Sequence, residues 1–205
     1  MRILKTVALP GERTLHLCAG DILEEPVEAI VNAANSHLAH GGGVAAAISR
    51  AAGPEFDDES FVYVRDHGPV PTGSAIVTSA GRLPYKGVIH AVGPARGSGG
   101  EEATLASAVR AALDCAALRN WRSVAMPAIS SGIFGVSLRI CARAYIKGVQ
   151  QHFTDHPDSP VREVRITLCL TFQGVTLRDL LQQQMEEVHP STSEKQQRES
   201  DGQAS

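Results

Sequence analysis

Residues 31–48 read VNAANSHLAHGGGVAAAI and lead from an apolar run, through three glycines, into a run of helix-forming residues. The apolar run predicts a buried strand, and the alanines after Gly43 predict the start of a helix. Glycine accepts backbone angles closed to other residues and lets a ligand come close to the backbone. Because a helix N-terminus also presents unpaired N–H groups, this stretch has the chemistry of an anion site, most often one for phosphate.

A second loop of small residues, SSGIFG at 130–135, also follows an apolar run and precedes a helical one. Taken alone, the three glycines at 41–43 are equally consistent with a loose turn. Their stretch matches neither GxGxxG nor GxxxxGK[ST], so it is neither a dinucleotide fingerprint nor a P-loop. Two such loops at the ends of neighbouring strands nevertheless predict a cleft that grips a diphosphate from both sides.

The composition restricts the class of protein. A chain of 205 residues with 43% hydrophobic content can bury one sizeable core, as a single domain. A net charge of −3 without a long Lys/Arg block argues against a protein that clamps a nucleic-acid backbone. No apolar run approaches the ~20 residues that span a bilayer, and the N-terminal one is too short for a signal peptide, so we expect no membrane partner and an intracellular location, in the nucleus or cytoplasm.

Metal and thiol chemistry are not indicated. The four cysteines form no CxxC pair and lie in apolar surroundings, which favours buried free thiols in a reducing compartment over a zinc site. His37 and His40 are three residues apart but lack a third ligand nearby. We therefore predict no metal site, no cofactor and no Ser-His-Asp set.

Strands and helices alternate after an opening strand pair, which predicts an α/β/α sandwich around a mostly parallel mixed sheet. Within the second helix, Phe56, Phe61 and Val64 are predicted core contacts, and His90 is predicted to be a packed core histidine in a strand. The predicted strands cover 3–8, 15–19, 27–33, 74–79, 87–92, 123–129 and 164–172, and the predicted helices cover 44–52, 55–66, 101–119, 137–153 and 176–188.

Five motifs carry a family resemblance. They are GDI (20–22), VNAAN (31–35), HGGGVAAAI (40–48), LPYKGVIHAVGP (83–94) and PAISSGIFG (127–135). Together they resemble a macrodomain, the ADP-ribose-binding module, and are most similar to macrodomains of antiviral-type macrodomain-carrying poly(ADP-ribose) polymerases and of coronaviruses. The resemblance implies a macrodomain over residues 1–188, monomeric as a domain. From His189 onward almost no residue is apolar, which predicts a disordered tail over 189–205.

The resemblance also implies roles for single residues. Asp21 would accept a hydrogen bond from the adenine amino group, with the Ile22 backbone beside it, although an Asp after Gly often only caps a turn. Asn35 would hold the distal ribose hydroxyls, although an Asn there often only satisfies loop backbone. Phe172 would stack on adenine.

Two further residues have alternative interpretations. Phe134 is either a lid over the distal ribose or a core plug, and His40 either orders the glycine loop or is solvated. The implied catalytic residues are Asn35, Gly43, Phe134 and His40. The implied ADP-ribose contacts are Asp21, Ile22, Asn32, Ala33, Asn35, Gly41, Gly42, Gly43, Val44, Ser130, Ser131, Gly132, Ile133, Phe134 and Phe172.

Ala45 bears on whether the site is catalytic. One hydrolase class of the family carries an Asp at that position, in the form GGGVDGAI, and no other acid in this loop replaces it. The coronavirus macrodomains carry Ala there and are hydrolases, which implies a substrate-assisted route in which a phosphate oxygen orients the water. We therefore expect a hydrolase that removes mono-ADP-ribose from Asp/Glu side chains of modified proteins. The alternatives are a non-catalytic reader of mono-ADP-ribosylated proteins and, more weakly, a nucleic-acid-binding module.

Overall fold

A computed structural model of the chain describes residues 1–169 and 172–188, apart from the side chains of 172–175 and 188. The predicted tail over 189–205 and the predicted stacking of the Phe172 side chain lie outside this description. Seven strands and five α-helices follow one another along the described chain. The strands are β1 (Arg2–Leu9), β2 (Arg13–Ala19), β3 (Ala29–Ala34), β4 (Ala75–Thr78), β5 (Gly87–Val92), β6 (Ser123–Met126) and β7 (Glu163–Leu168), and the helices are α1 (Gly43–Ala52), α2 (Pro54–His67), α3 (Glu101–Leu118), α4 (Leu138–Asp155) and α5 (Phe172–Val188).

The seven strands form one sheet in the order β1-β2-β7-β6-β3-β5-β4. The outer strands β1 and β4 run antiparallel to β2 and β5, and the five inner strands are parallel. Nearly every residue of β3 is buried, as expected of a strand covered on both faces. The predicted mostly parallel mixed sheet is therefore confirmed.

Successive residues of β3 contribute to different faces of the sheet, as the two-residue period of a strand requires. Ile30 packs in a core with Ile48 of α1 and Phe56 of α2. Its neighbours Ala29 and Val31 belong to a larger core that includes residues of α3, α4 and α5. The helices thus form two layers around the sheet, which confirms the predicted α/β/α sandwich.

The five parallel strands all end at one edge of the sheet, and this edge positions the site. β3 leads into the loop before α1, and β6 leads into the loop before α4. Because β6 and β3 are neighbours, their two loops lie side by side. Open α/β sheets bind ligands at this edge, between loops that diverge to opposite faces.

Several details differ from the sequence prediction, including the start of α5 at Phe172 instead of residue 176 and of β3 at Ala29 instead of residue 27. Phe61 of α2 is 68% exposed and is not a core residue, whereas Phe56 is fully buried. β6 ends at Met126 instead of residue 129, because Pro127 has no N–H to donate to a ladder. β7 ends at Leu168 instead of residue 172, because its partner β2 ends opposite at Ala19 and the chain then turns away.

No helix of the described residues is long and apolar enough to cross a membrane.

Candidate functional site

A cleft of about 830 Å³ opens at the carboxyl edge of the parallel strands. Its walls come from the turn after β2, the loop after β3 with the first turn of α1, the loop after β6, and the end of β7. The volume lies within the range of about 300–1,000 Å³ that is usual for small-molecule sites. This cleft is therefore the candidate ligand site.

The glycine loop ends at the N-terminus of α1, inside the cleft. Gly42 is the N-cap residue and provides no side-chain cap. Gly43 has φ +58°, a left-handed angle that favours glycine. The first hydrogen bond of the helix runs from the Ala46 N–H to the Gly42 carbonyl. Within the described chain, the N–H groups of residues 41–45 therefore donate to no protein acceptor.

The loop after β6 presents a second row of unpaired amides. It is closed on itself by hydrogen bonds from the Gly135 N–H to the Gly132 carbonyl (2.9 Å) and from the Val136 N–H to the Ser130 carbonyl (3.0 Å). Between these bonds, the N–H groups of residues 130–134 have no acceptor among the described residues. Backbone amides arranged in this way form an anion-binding concavity. Two rows of amides thus border the same cleft.

Tyr145 of α4 supports the second loop from below. It is fully buried, and its hydroxyl accepts the Ile129 N–H and donates to the Pro127 carbonyl. Burial raises the pKa of the Tyr145 hydroxyl well above its ordinary value, so the group stays a neutral donor. The two hydrogen bonds of the Tyr145 hydroxyl therefore fix the start of the 130–135 loop without a ligand.

Asn35 lines the cleft, and its side-chain amide forms hydrogen bonds with the backbone of its own loop. Nδ2 donates to the Ala39 carbonyl (2.8 Å), and Oδ1 accepts the N–H groups of His37 and Ala39 (3.1 Å each). Asn35 therefore does satisfy its own loop backbone, which does not test its implied contact with the ribose. Since a carboxamide carries two N–H donors, one donor remains for a ligand.

Asp21 also lines the cleft and is exposed. Its Oδ1 accepts the Leu23 N–H (3.0 Å) and so caps the single 3-10 turn over Ile22–Glu24. Asp21 therefore does cap this turn, which does not test its implied contact with adenine. Among the described residues, the second carboxylate oxygen makes no hydrogen bond, so it can accept one from a ligand.

A buried polar network lies behind the glycine loop. The Asn32 amide nitrogen is 3.3 Å from Nδ1 of His40 and 3.2 Å from Nδ1 of His90. Nε2 of His40 is 3.1 Å from the Ser60 hydroxyl, and Nε2 of His90 is 2.8 Å from the Thr78 hydroxyl. If the Asn32 amide donates to both Nδ1 atoms, the network requires both imidazoles to be neutral with hydrogen on Nε2.

Burial lowers the pKa values of both histidines in this network. The pKa of His90 falls to about 3, through burial first and His40 second. For His40 burial also lowers the pKa, and the carboxylate of Asp57 opposes this. Both rings are therefore neutral at physiological pH.

The family model of the Macro domain matches residues 31–145, more than half of the chain, and this segment contains both amide loops. The chain belongs to the macrodomain family. This confirms the family predicted from the sequence motifs.

Three curated relatives show how far the similarity extends. An uncharacterized Thermotoga maritima protein is 47% identical over 166 residues, which are 80% of this chain and 28% of that protein. O-acetyl-ADP-ribose deacetylase of Escherichia fergusonii is 42% identical over 144 residues, 69% of this chain and 81% of that protein. Protein mono-ADP-ribosyltransferase PARP14 of Homo sapiens is 42% identical over 153 residues, 73% of this chain and 8% of that protein. The macrodomain therefore spans only a small part of the Thermotoga and human proteins.

Among solved structures, a variant of the Oceanobacillus iheyensis macrodomain with ADPR superposes with a TM-score of 0.80 at 29% identity. The match covers 89% of this chain and 98% of that chain. The similarity thus extends well beyond the segment that the family model matches.

Most residues predicted to contact a ligand do line the cleft of this macrodomain. They are Asp21, Ile22, Ala33, Asn35, Gly41, Gly42, Gly43, Val44, Ser130, Ser131, Gly132, Ile133 and Phe134. Phe134 is half-buried and lines the cleft, which excludes a simple core plug. The geometry therefore brings the two predicted loops together around one space.

Two predicted residues lie behind the lining instead. Asn32 is fully buried, and the His40 side chain is 4% exposed. The predicted solvated state of His40 is therefore wrong, and its position fits the alternative in which it orders the glycine loop. His90 is buried in β5, as predicted.

The sequence analysis missed several lining residues. They are Gly20, Ala34, Ala39, Ala45, Ala47, Pro127, Ala128, Ile129, Thr167, Leu168, Cys169 and Leu177. Most of them adjoin residues that were predicted, so a wider window around each motif would have included them. Thr167–Cys169 and Leu177 carry no chemical signal in the sequence, and only the pairing of β7 with β6 brings their part of the chain to the site.

The four cysteines are not all buried. Cys18 and Cys141 are buried, and burial raises the pKa of their thiols to about 11 and about 12. Cys115 is half-buried. Cys169 is exposed and lines the cleft, so the prediction of a buried thiol is wrong at that position.

The charges in the cleft are few. Among the described lining residues, Asp21 and Cys169 are the only ones with a titratable side chain, and no lysine or arginine is present. A bound anion would therefore be held by backbone dipoles and not by a cation. Among the described residues that line the cleft beside the glycine loop, none has a side chain that can act as a general base, and Ala45 occupies the place of the missing acid.

Contrary to expectation, one Ser-His-Asp set exists, at the far end of α4 from the cleft. Nε2 of His152 is 2.8 Å from the Ser159 hydroxyl, and Nδ1 is 2.6 Å from Asp114 Oδ1. His152 is fully buried, and Ser159 Oγ also accepts the Val161 N–H (3.3 Å). The serine is therefore not exposed as a nucleophile.

Proposed function

We propose that this macrodomain binds ADP-ribose and hydrolyses the ester that joins its distal ribose to an Asp or Glu side chain of a modified protein. The observation that carries the proposal is the pair of unpaired amide rows, 41–45 and 130–134, on two walls of one cleft. Asp21 at one end and Asn35 at the other supply the hydrogen-bonding groups that an adenine and a ribose need.

The diphosphate fits between the two loops on electrostatic grounds. Its charge is matched by several N–H dipoles and by the positive end of the α1 dipole. Amides fixed by Tyr145 and by the bonds within the loop need little reorganisation when the ligand arrives. Because none of the described residues that line the cleft is a lysine or arginine, the affinity for the ligand should depend only weakly on salt.

Asp21 and Asn35 orient the two ends of the ligand. The free oxygen of Asp21 accepts a hydrogen from the adenine amino group, and the remaining N–H of Asn35 donates to a hydroxyl of the distal ribose. Each of these side chains is held by its own turn, so the ligand meets preformed groups. The reacting ester is thereby placed beside the glycine loop.

The similarity to known proteins supports both binding and ester hydrolysis. The structural relative was solved with ADPR, and a curated relative of similar length is named an O-acetyl-ADP-ribose deacetylase. An acetyl group and a protein carboxyl group both form an acyl ester with a hydroxyl of the ribose. The same cleft can therefore serve either ester if the acyl side opens to solvent.

Hydrolysis would proceed without a protein base. Water, oriented by a phosphate oxygen of the bound ligand, attacks the acyl carbonyl and forms a tetrahedral oxyanion. Collapse breaks the acyl–oxygen bond and releases the carboxylate of the protein and a hydroxyl group on the ribose. One proton of the attacking water ends on the ribose oxygen, and the other leaves to solvent. The rate gain would come from positioning and from the fixed amides, each donor contributing on the order of 10²-fold or more.

The main alternative is a reader, which binds mono-ADP-ribosylated proteins and leaves the ester intact. The cleft lining favours this alternative, because none of the described lining residues beside the glycine loop has a titratable side chain. Reader and hydrolase share every contact named above, so only turnover separates them. Nucleic-acid binding is weaker, given the net charge of −3.

Calorimetry with ADP-ribose, AMP and ribose 5-phosphate tests binding. We expect ADP-ribose to bind at least about tenfold more tightly than either fragment, because only the whole ligand reaches both Asp21 and Asn35. Repeating the titration between low and high salt should change the affinity less than about threefold. Equal affinity for AMP would contradict the two-ended site. Chromatography of O-acetyl-ADP-ribose incubated with the protein then measures ester hydrolysis.

A further inference from the structure

A second cluster of ligating side chains lies where α3 and α4 pack, outside the proposed ADP-ribose site. Asp114 belongs to α3, His152 to the last turn of α4, and His156 directly follows that helix. The amide loop at 130–135 precedes the start of α4, and the cluster is at its other end, about 27 Å away along an 18-residue helix. The cluster therefore serves a different purpose from the cleft.

The three side chains converge on one point. Asp114 Oδ1 is 2.6 Å from His152 Nδ1 and 3.4 Å from His156 Nε2. One ligand atom from each residue lies within 4.8 Å of the others. The two histidines are four residues apart, a spacing that places both rings on one face of a helical turn. The imidazole ring centres are 5.3 Å apart.

From this geometry we propose that Asp114, His152 and His156 bind a divalent late first-row metal ion, with Zn²⁺ as the preferred ion. Two imidazoles and one carboxylate are ligands of the type that Zn²⁺ selects, at distances of about 2.0–2.2 Å. In a tetrahedral site such ligands lie about 3.3 Å apart. The distance from Asp114 Oδ1 to His156 Nε2 (3.4 Å) matches this value, whereas the distance to His152 Nδ1 (2.6 Å) is that of a hydrogen bond. Binding of the ion would require the His152 ring to move slightly away from the Asp114 carboxylate.

The surroundings of the cluster orient its ligands. His152 is fully buried, and the hydrogen that its Nδ1 gives up on binding moves to Nε2, where it is donated to Ser159 Oγ. Arg110 approaches the other oxygen of Asp114 (3.8 Å), which leaves Oδ1 for the ion. Such outer partners fix the tautomer and the direction of metal ligands.

An ion can reach the cluster from solvent. The exposed fraction of the side chains rises from zero at His152 through 28% at Asp114 to 52% at His156. A cavity of about 590 Å³ adjoins them, and its lining includes the carboxylates of Asp155 and Asp158. Water or one of these carboxylates can take the fourth position, which a site with three protein ligands leaves open.

The ion would tie the segment after α4 to α3. At present Asp114 is hydrogen-bonded to His152 and lies 3.4 Å from Nε2 of His156, and His152 is hydrogen-bonded to Ser159. A bound metal ion would replace the contacts of Asp114 with the two histidines by coordinate bonds to all three side chains. Because the ion binds only the folded arrangement, its presence should raise the unfolding temperature.

The test uses the tag-free full chain with Cys169→Ser, so that the exposed thiol cannot bind the metal. Zn²⁺ is titrated by calorimetry and Co²⁺ by visible absorption. We expect one ion per chain, an intense Co²⁺ band between about 500 and 700 nm that indicates four-coordination, and a higher unfolding temperature that a chelator reverses.

Variants assign the ligands. His156→Ala, at a half-exposed position, should weaken Zn²⁺ binding by more than about 100-fold, and Ser159→Ala by about 10–100-fold with a shifted Co²⁺ spectrum. His67→Ala, an exposed histidine of α2, is the matched control and should bind like the parent. No binding to the parent at millimolar Zn²⁺, or unchanged binding in both His156→Ala and Asp114→Asn, would overturn the proposal.

Discussion

Ser130 and Gly93 are in such close contact that a Cβ atom on Gly93 would overlap the Ser130 hydroxyl. Ser130 also has a left-handed backbone with φ +63°, and its buried hydroxyl has no hydrogen-bond partner in the described chain. A non-glycine residue at such an angle stores strain. The strain lies at the first residue of the second amide row, on the wall of the cleft.

This contact predicts that Gly93→Ala destabilises the protein by about 2 kcal/mol or more, because the new methyl group must displace Ser130 and Ile129. Ser130→Gly should instead stabilise it by about 1 kcal/mol, since glycine accepts the left-handed angle and removes the unpaired hydroxyl. Urea unfolding measures both.

The double variant separates the two causes. In the Ser130→Gly background, Gly93→Ala should lower the free energy of unfolding by less than it does in the parent. The new methyl group then overlaps only Ile129 and no longer the Ser130 hydroxyl. Strict additivity of the two changes would show that the contact does not cause the loss.

Asp21→Asn should weaken ADP-ribose binding by about 1–3 kcal/mol, because the amide oxygen remains occupied by the Leu23 N–H and the amide nitrogen meets the adenine amino group donor to donor. The same variant should gain affinity for the inosine analogue, which presents an acceptor at that position. Calorimetry with both ligands measures this exchange of preference.

Glu24→Gln is the matched control for Asp21→Asn, since it removes a charge from an exposed acid of the same turn. Its affinity for ADP-ribose should equal that of the parent. If Asp21→Asn binds ADP-ribose as the parent does, Asp21 does not contact adenine.

His90 should make stability depend on pH below neutrality. Its pKa is about 3 in the folded chain against 6.5 for the ordinary side chain, so the unfolded chain binds a proton that the folded one does not. The stabilisation is fully present above pH 6.5 and is lost as the pH falls from 6.5 towards 3, by up to about 1.4 kcal/mol per pH unit.

Urea unfolding between pH 5 and 6.5 isolates this effect, because most carboxylates titrate below about pH 5. The side chain of His90→Gln can still accept a hydrogen bond from Asn32 and donate one to Thr78. This variant should reduce the slope of the unfolding free energy against pH by the equivalent of about one bound proton. His40 contributes in the same direction, since burial lowers its pKa. A slope that is the same in parent and variant would refute the buried neutral state of His90.

Cys169 should be the thiol that reacts in the native chain. It is exposed in the cleft, whereas burial raises the pKa of Cys18 to about 11 and of Cys141 to about 12. Iodoacetamide followed by peptide mass spectrometry should find rapid modification at Cys169, slowed at least about fivefold by saturating ADP-ribose. Modification of Cys169 at an unchanged rate would place the ligand elsewhere.

Local patterns in the sequence were sufficient to predict most of the fold. The apolar run before Asn32 identifies the buried β3, and the glycines identify the start of α1. The end of β7 could not be predicted, because Leu170 continues the alternation and only the partner strand β2 ends the pairing at Leu168. The prediction of Phe61 as a core residue was wrong, because its hydrophobicity does not reveal that the side chain is exposed.

The site was predicted less completely than the fold. The two loops are local motifs and were found, and the contacts of Asn35 and Asp21 with their own turns were among the predicted alternatives. The network of His40, Asn32 and His90 depends on strands that are distant in sequence, and so does the cluster of Asp114 with His152. Such contacts come from strand order and helix packing, which a single sequence does not display.

The most direct test of the central proposal is a time course of the label that remains on a protein mono-ADP-ribosylated at Glu, incubated with this macrodomain. We predict loss of label with the parent and with His37→Ala, an exposed neighbour in the same loop, and at least a tenfold slower loss with Asn35→Ala. Binding of ADP-ribose to each variant, measured in parallel, separates lost turnover from a lost site. Label that persists at high protein concentration, while ADP-ribose still binds, would contradict the hydrolase and leave a reader.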